Sequence, residues 1–143
     1  MKWATRPGIH IDRAACAWLI RRHVDPSAEF IFVDDVDDVP PTATAFDMRG
    51  VELSHHGHDC TFETILRRYA LDDPVLWQIA AIVHEADLAD DAHDAPEAAG
   101  FDLIVRALSA ALGDERAIER TREMFDAVHD FLRQPLLEGG ARP

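Results

Sequence analysis

The eleven residues LSHHGHDCTFE, from Leu53 to Glu63, contain three histidines, an aspartate, a cysteine and a glutamate. Imidazole and carboxylate side chains bind divalent transition metals, and they also act as general acids and bases. A solvated polar loop would have the same composition. The stretch therefore leaves three alternatives open: a metal site, a catalytic site or a surface loop.

A second candidate lies on a predicted helix at 74–89, PVLWQIAAIVHEADLA. Helical periodicity turns His84 away from the main apolar face but towards other apolar residues, which predicts that it is buried or lines a cleft. Asp87 follows at i+3, a spacing that projects an imidazole and a carboxylate to one side, as in helical metal sites. Carboxylates at a helix C-terminus oppose the helix dipole by about 0.3–1 kcal/mol each, and a cation would offset this cost. The alternative is that His84 bonds a core carbonyl group.

Arg13 lies on the apolar side of a predicted helix at 13–24. An isolated buried charge costs several kcal/mol, so Arg13 requires a partner. We expect this partner to be a bound oxyanion or one of three carboxylates, Asp87, Asp90 and Glu63.

The N-terminal third has the pattern of a βαβ unit. A strand at 2–6 precedes the helix at 13–24, which Asp12 is predicted to cap, and a β-branched and aromatic strand follows at 28–33. Strand, helix and strand within this length indicate two parallel strands. Two short extended segments, TAFDM and VELSH, flank Arg49-Gly50 and predict a hairpin.

The remainder of the chain is predicted to be helical. Thr61 or Asp59 is expected to cap the first of these helices, and Pro135 to end the last. The predicted helices are at 61–71, 74–89, 96–112 and 114–136. The fold class is α+β, with a small sheet covered by about five helices.

The length of 143 residues indicates one domain, predicted at 1–137, with a flexible tail at 138–143. No apolar run approaches the roughly 20 residues that span a bilayer, and no signal region precedes the domain. Two cysteines are too few for a disulfide scaffold. We therefore expect a cytoplasmic protein without a membrane partner.

The net charge is −13, from 27 acidic and 14 basic residues. Such a chain repels a phosphate backbone, so direct nucleic-acid binding is not expected. The segment RPGIHIDRAACAWLIRRH is nevertheless locally basic and could bind a small anion. The sequence also leaves a homodimer open.

Three motifs resemble the ChrB domain of bacterial chromate-resistance proteins, and they occur in the family's order. They are TRPGIHIDRAACAWLIRRHVDPSAEFIFV, FDMRGVELSHHGHDCTFETI and IVHEADLADDAHDAPEA. The resemblance extends over about 2–135. It selects nine residues: Arg6, Asp12, Arg13, His55, Cys60, Glu63, His84, Asp87 and Asp90. Four further histidines match no position of the family's pattern and are expected to have no special role: His10, His23, His93 and His129.

Two imidazoles and two carboxylates from this set would form a metal site for Zn, Mn, Fe or Ni, with the predicted ligands His55, Glu63, His84 and Asp87. Three further carboxylates are expected to accept hydrogen bonds from the imidazoles that bind the metal: Asp12, Asp90 and Asp91. The competing interpretation is a buried hydrogen-bond network.

Arg6 and Arg13 are predicted to bind an oxyanion such as chromate, because guanidinium groups match tetrahedral oxyanions. Arg13 would also orient a substrate. Cys60 precedes a helix and would have a lowered pKa if exposed, which makes it a candidate catalytic thiolate; the alternative is an inert, packed thiol.

Three functional classes remain: a metal-dependent enzyme acting on a small oxyanion or sulfur-linked metabolite, a metal or oxyanion sensor without catalysis, and a purely structural domain. The sequence does not decide whether the protein is an enzyme.

Overall fold

A computed structural model describes residues 1–138, and the side chains of residues 1–135. The α+β prediction is confirmed: three parallel strands are combined with five helices. In chain order the elements are β1 (Lys2–Thr5), α1 (Ile11–Leu19), β2 (Glu29–Phe32), β3 (Ala43–Ala45), α2 (Thr61–Arg68), α3 (Pro74–Leu88), α4 (Ala98–Leu112) and α5 (Asp114–Glu138). A π-helical turn, Ile20–Val24, continues α1.

The sheet has the order β2-β1-β3, and both of its pairings are parallel. Parallel neighbours require a crossover, which α1 supplies between β1 and β2, so the predicted βαβ unit is confirmed. The predicted hairpin is wrong. β3 pairs with β1, and the segment 51–55 is a loop in which Leu53 forms an isolated parallel bridge with Phe46, the residue after β3.

The turn that replaces the hairpin begins at Asp47, whose φ of 52° lies in the left-handed region. Gly50 follows with a φ of 88°. With these two conformations the chain after β3 forms a loop and does not reverse direction as a hairpin would. The Asp47 N–H donates to the Leu53 carbonyl at 2.8 Å. Aspartate tolerates this conformation better than most residues.

Helix α1 forms the centre of the domain, since all nine of its residues are buried. It packs against α2, α3, α4 and α5. Large apolar side chains from the sheet, α2 and α5 complete this core, among them Trp3, Phe46, Phe62 and Phe125. The prediction that Asp12 caps α1 is wrong, because His10 occupies the N-cap and Asp12 lies inside the first turn.

Helix α5 passes through Pro135 and ends at Glu138, so the predicted stop at the proline is wrong. A proline removes one helical hydrogen bond but leaves the following residues free to form theirs. The predicted tail at 138–143 lies outside the described residues except for Glu138. Among the helices of residues 1–138, none is both long enough and apolar enough to cross a bilayer.

Candidate functional site

The buried carboxylate of Asp12 joins α1 to α2. Its two oxygens accept the backbone N–H groups of Thr61 and Phe62, each at 3.0 Å. These are first-turn donors of α2 that have no partner within their own helix, and a negative charge at a helix N-terminus is favourable. The N-cap position itself is held by Cys60, so the predicted caps Thr61 and Asp59 are wrong.

Three carboxylates and two imidazoles gather around this junction; we call His10, Asp12, Asp47, His55 and Asp87 the Asp12 cluster. His55 Nε2 lies 3.1 Å from an oxygen of Asp12 and 3.1 Å from an oxygen of Asp87. His10 Nε2 lies 3.4 Å from Asp47, and its Nδ1 lies 3.8 Å from Asp87. The two imidazoles therefore bridge the three carboxylates.

The electrostatics of the Asp12 cluster favour a cation. Burial, and then the neighbouring charge of Asp12, raise the pKa of Asp47 and the pKa of Asp87. The hydrogen bond to Asp12 raises the pKa of His55 to about 9. Each shift has the direction expected where negative charges crowd together with too few positive ones.

His10 carries a second indication of a ligand site. Its Nδ1 is buried and has no hydrogen-bond partner within the described part of the chain. The 3.8 Å to Asp87 is too long for a hydrogen bond. Sequence reasoning passed over His10 because it matched no family position, although its place two residues before Asp12 could have drawn attention to it.

Arg13 is held by Asp47 rather than by any of the three predicted carboxylates. Its Nε donates to a carboxylate oxygen of Asp47 at 3.0 Å, and its Nη2 donates to the Asp47 carbonyl at 3.2 Å. Nη1 donates to the carbonyls of Pro7 and Gly8. Asp47 also accepts the Thr61 hydroxyl at 2.7 Å. The sequence analysis missed Asp47, whose signal was an aspartate at the end of a strand, followed by Met-Arg-Gly.

A cavity of about 420 Å³ opens beside the Asp12 cluster, and we call it the arginine pocket. Its lining residues are Arg6, Arg13, Asp47, Met48, Arg49, Gly50, Ser54 and His55. Arg6 and Arg49 are exposed, whereas Arg13 is buried. Three guanidinium groups around one cavity provide the donors that a small oxyanion requires.

His84 belongs to a separate group, the His84 cluster, made of Glu63, His84 and Asp90. Its Nδ1 lies 2.5 Å from Glu63, and its Nε2 lies 3.0 Å from both oxygens of Asp90. The prediction that His84 is buried is confirmed, with 3% of the residue exposed. Burial lowers the pKa of His84, but the hydrogen bonds to Glu63 and Asp90 outweigh this effect and raise it. The bond to His84 in turn lowers the pKa of Asp90.

The four predicted metal ligands are divided into two pairs. His55 and Asp87 meet in the Asp12 cluster, whereas Glu63 and His84 meet in the His84 cluster. Helix α3 ends at Leu88, and the chain then folds back so that Asp90 contacts His84. Asp91, which was predicted to support an imidazole, is exposed and donates its backbone N–H to Glu85.

Neither cysteine is placed for thiolate chemistry. Cys60 and Cys16 are both fully buried. Burial, and then the charge of Asp12, raise the pKa of each thiol. The helix N-terminus beside Cys60 does not compensate for this loss of hydration. The structure therefore favours the alternative of packed, inert thiols.

Comparison with known proteins agrees with the three sequence motifs. The family model for the ChrB C-terminal domain matches residues 3–132. Protein ChrB of Cupriavidus metallidurans is 32% identical over 136 residues, which are 94% of this chain and 41% of that protein. The chain thus spans less than half the length of this relative. No solved structure matches. The chain belongs to the ChrB C-terminal domain family.

Proposed function

We propose that this domain binds a divalent transition metal ion in the Asp12 cluster and a small tetrahedral oxyanion, such as chromate, in the adjoining arginine pocket. One observation carries the proposal: Asp47 and His55 belong both to the cluster and to the wall of the pocket. An anion in the pocket would therefore lie next to a cation in the cluster.

The metal ligands in this proposal are His10, Asp47, His55 and Asp87. Two imidazoles and two carboxylates suit Zn, Mn, Fe or Ni. The buried Nδ1 of His10 would gain a partner, and a divalent charge would relieve the repulsion among the carboxylates. Asp12 and Asp87 both contact His55 Nε2, and a metal would replace the proton on that nitrogen.

The oxyanion would be bound by Arg6 and Arg49, whose exposed side chains can close over it. Arg13 would add its positive charge and the one N–H that does not donate to Asp47, Pro7 or Gly8. Asp47 fixes Arg13 in position, so this guanidinium is ordered before any ligand arrives. Planar guanidinium groups form paired hydrogen bonds with chromate, sulfate or phosphate oxygens. The metal, when bound, supplies positive charge and a position for an anion oxygen.

Binding and sensing suit this geometry better than reduction of chromate by a thiol. Both thiols are buried and have raised pKa values, so neither is available as a thiolate. The relative from Cupriavidus metallidurans is much longer than this chain, which leaves room for a further region to which a bound ligand could signal.

Isothermal titration of the purified protein with chromate, with and without one equivalent of Mn²⁺, tests the oxyanion site. We expect binding that Mn²⁺ strengthens. Arg49→Gln should weaken it by about tenfold or more, because a charge-assisted hydrogen bond contributes about 1.5–3 kcal/mol. Sulfate should compete, since it has the same shape without the oxidising power.

The matched control is Arg120→Gln, an exposed arginine on α5 that does not line the pocket. Its affinity for chromate should equal that of the wild type. Equal affinities for wild type and Arg49→Gln, or heat that depends only on ionic strength, would rule out the arginine pocket as the binding site.

A further inference from the structure

We infer that the domain forms a homodimer through helix α4, in which two copies of the helix pack antiparallel about a two-fold axis near Ile104. The surface that forms this contact shares no residue with the Asp12 cluster or the arginine pocket. The inference is therefore independent of the proposed function, and either can fail without the other.

One side of α4 is apolar and yet exposed. Leu103 is 69% exposed and Ile104 is 51% exposed. We call this side the α4 face, and its seven residues are all exposed: Ala99, Gly100, Leu103, Ile104, Ala107, Ala110 and Ala111. With 3.6 residues per turn they cover roughly 140° of the helix surface. A contiguous apolar patch on a folded domain marks a site of association with another molecule.

The opposite side of α4 already packs on the domain. Ala98 and Val105 are buried there, and Phe101 packs against the core. The helix is thus apolar around most of its circumference, a pattern typical of a helix that is covered on all sides. Residues 1–138 cover one side of it, which leaves the α4 face for a second chain.

The charges of α4 favour a second copy of this chain as that partner. The chain has a net charge of −13, so two copies repel each other unless they meet at a neutral surface. Helix α4 provides such a surface, because its only charged residues are Asp102 and Arg106. Two copies can therefore meet at the α4 face without bringing together an excess of like charges.

The pair of Asp102 and Arg106 also determines the orientation of the two helices. Both residues lie on one rim of the α4 face, and Arg106 Nε is 3.0 Å from Asp102 Oδ2. An antiparallel arrangement centred on Ile104, midway between them, sets Asp102 of each copy beside Arg106 of the other. A parallel arrangement would set like charges side by side. Since opposite charges across an interface fix its register, the antiparallel arrangement is favoured.

The sizes of the side chains fit this arrangement. Leu103 and Ile104 lie near the axis, and the small residues Gly100 and Ala107 lie one turn away on either side. In the antiparallel pair, Leu103 of one copy faces Ala107 of the other, where the small side chain leaves room for it. A two-fold contact buries the same patch on both copies. One helix face is smaller than a standard interface of about 1,600 Å², so we expect a reversible dimer of micromolar affinity.

Sedimentation equilibrium of the full chain, from about 1 μM to about 1 mM, measures the association. The apparent mass should rise from 16.0 kDa towards twice that value. Ile104→Glu should stay monomeric, because it places a charge at the centre of the α4 face, and circular dichroism should show that it is folded. Arg68→Asp is the control, since it changes an exposed ion pair on α2, and it should dimerise like the wild type.

Two charge reversals test the orientation. Asp102→Arg and Arg106→Asp should each weaken dimerisation by at least about tenfold, because every pairing across the axis then joins like charges. An equimolar mixture of the two variants should recover the association, since each arginine of one chain then faces an aspartate of the other.

The inference is overturned if the wild type stays monomeric over the whole range, which would leave the α4 face to a different protein. Dimerisation of Ile104→Glu with the affinity of the wild type would also overturn it, because another surface would then join the copies. A mixture of Asp102→Arg and Arg106→Asp that associates no better than its components would contradict the antiparallel arrangement about Ile104.

Discussion

The Asp12 cluster and the His84 cluster use the same residue types but differ in how completely their polar atoms are paired. Each attaches a carboxylate to the N-terminus of α2: Asp12 accepts from Thr61 and Phe62, and Glu63 accepts from Cys60. In the His84 cluster, both ring nitrogens face a carboxylate. In the Asp12 cluster, three carboxylates share two imidazoles, and one buried nitrogen of His10 has no hydrogen-bond partner among the described residues.

Exposure separates the two clusters further. The side chain of His55 is 46% exposed and lies on the wall of the arginine pocket, whereas that of His84 is 3% exposed. A closed, paired network stabilises the fold, while an open, unpaired one can exchange a proton for a metal ion. We base the proposed location of the ion on the pairing and access of the ligands, not on their density along the sequence.

The largest effect should come from Asp12→Ala. Removing this carboxylate leaves two buried helix N–H groups without their acceptor, and it leaves His55 with Asp87 as its remaining carboxylate. We expect the free energy of unfolding to fall by about 3–5 kcal/mol, as when a buried ionic network loses one member. Urea denaturation measures it.

Asp59→Ala is the control for Asp12→Ala, because Asp59 lies beside the same helix start but pairs with the exposed Arg67. It should change the free energy of unfolding by about 1 kcal/mol or less. If both variants were equally stable, Asp12 would not be what joins α1 to α2.

The next effect contrasts the two clusters directly. His84→Ala should lower the free energy of unfolding by about 3 kcal/mol, because it removes the nearest imidazole from the buried carboxylate of Glu63. His55→Ala should lower it by about 1 kcal/mol or less, since a half-exposed ion pair contributes little. Denaturation of both metal-free variants in parallel checks the contrast. If His55→Ala were less stable than His84→Ala, the Asp12 cluster and not the His84 cluster would have the structural role.

The sequence predicts the elements well where the signal is local. Periodicity defined the helices within a few residues, and the β-branched strand at 28–33 identified the βαβ unit. The hairpin failed because the left-handed conformation of Asp47 is not visible in the alternation of apolar residues. That conformation is maintained by contacts with Arg13 and Thr61, which are distant in sequence.

The sequence selected some residues of the candidate site but missed His10 and Asp47, and it did not predict how the residues are grouped. The motifs selected Asp12, His55 and Asp87, all of which lie in the Asp12 cluster. Spacing placed His84 beside Asp87, yet the two side chains contact different clusters. His84 contacts Glu63 and Asp90, whereas Asp87 contacts His10 and His55. Long-range bonds, such as that between Asp12 and Phe62, are decided by packing and leave no local pattern.

A smaller effect on stability is expected at Asp25, which lies outside both clusters. The hydrogen bond from the Trp3 indole lowers the pKa of Asp25 below its ordinary value of 3.8. A carboxylate whose pKa is lowered in the folded state stabilises the fold at pH values above its ordinary pKa. This contribution to the free energy of unfolding is lost as the pH falls through the lowered pKa. Asp25→Asn should therefore be slightly less stable than wild type at neutral pH.

Urea midpoints at neutral pH and well below pH 3.8 test this prediction. The difference between wild type and Asp25→Asn should shrink in acid, whereas Glu29→Gln, a nearby exposed carboxylate, should show little difference at either pH. A difference that grew in acid would contradict the assigned role of the indole hydrogen bond.

The most direct test of the contrast between the two clusters is a Mn²⁺ titration followed by the electron paramagnetic resonance of the free ion. Mn²⁺ suits carboxylate-rich sites. Wild type and His84→Ala should each remove one equivalent of free Mn²⁺, and the double variant His55→Gln, Asp87→Asn should remove none. Retention of Mn²⁺ by the double variant together with its loss in His84→Ala would place the metal in the His84 cluster and contradict the account.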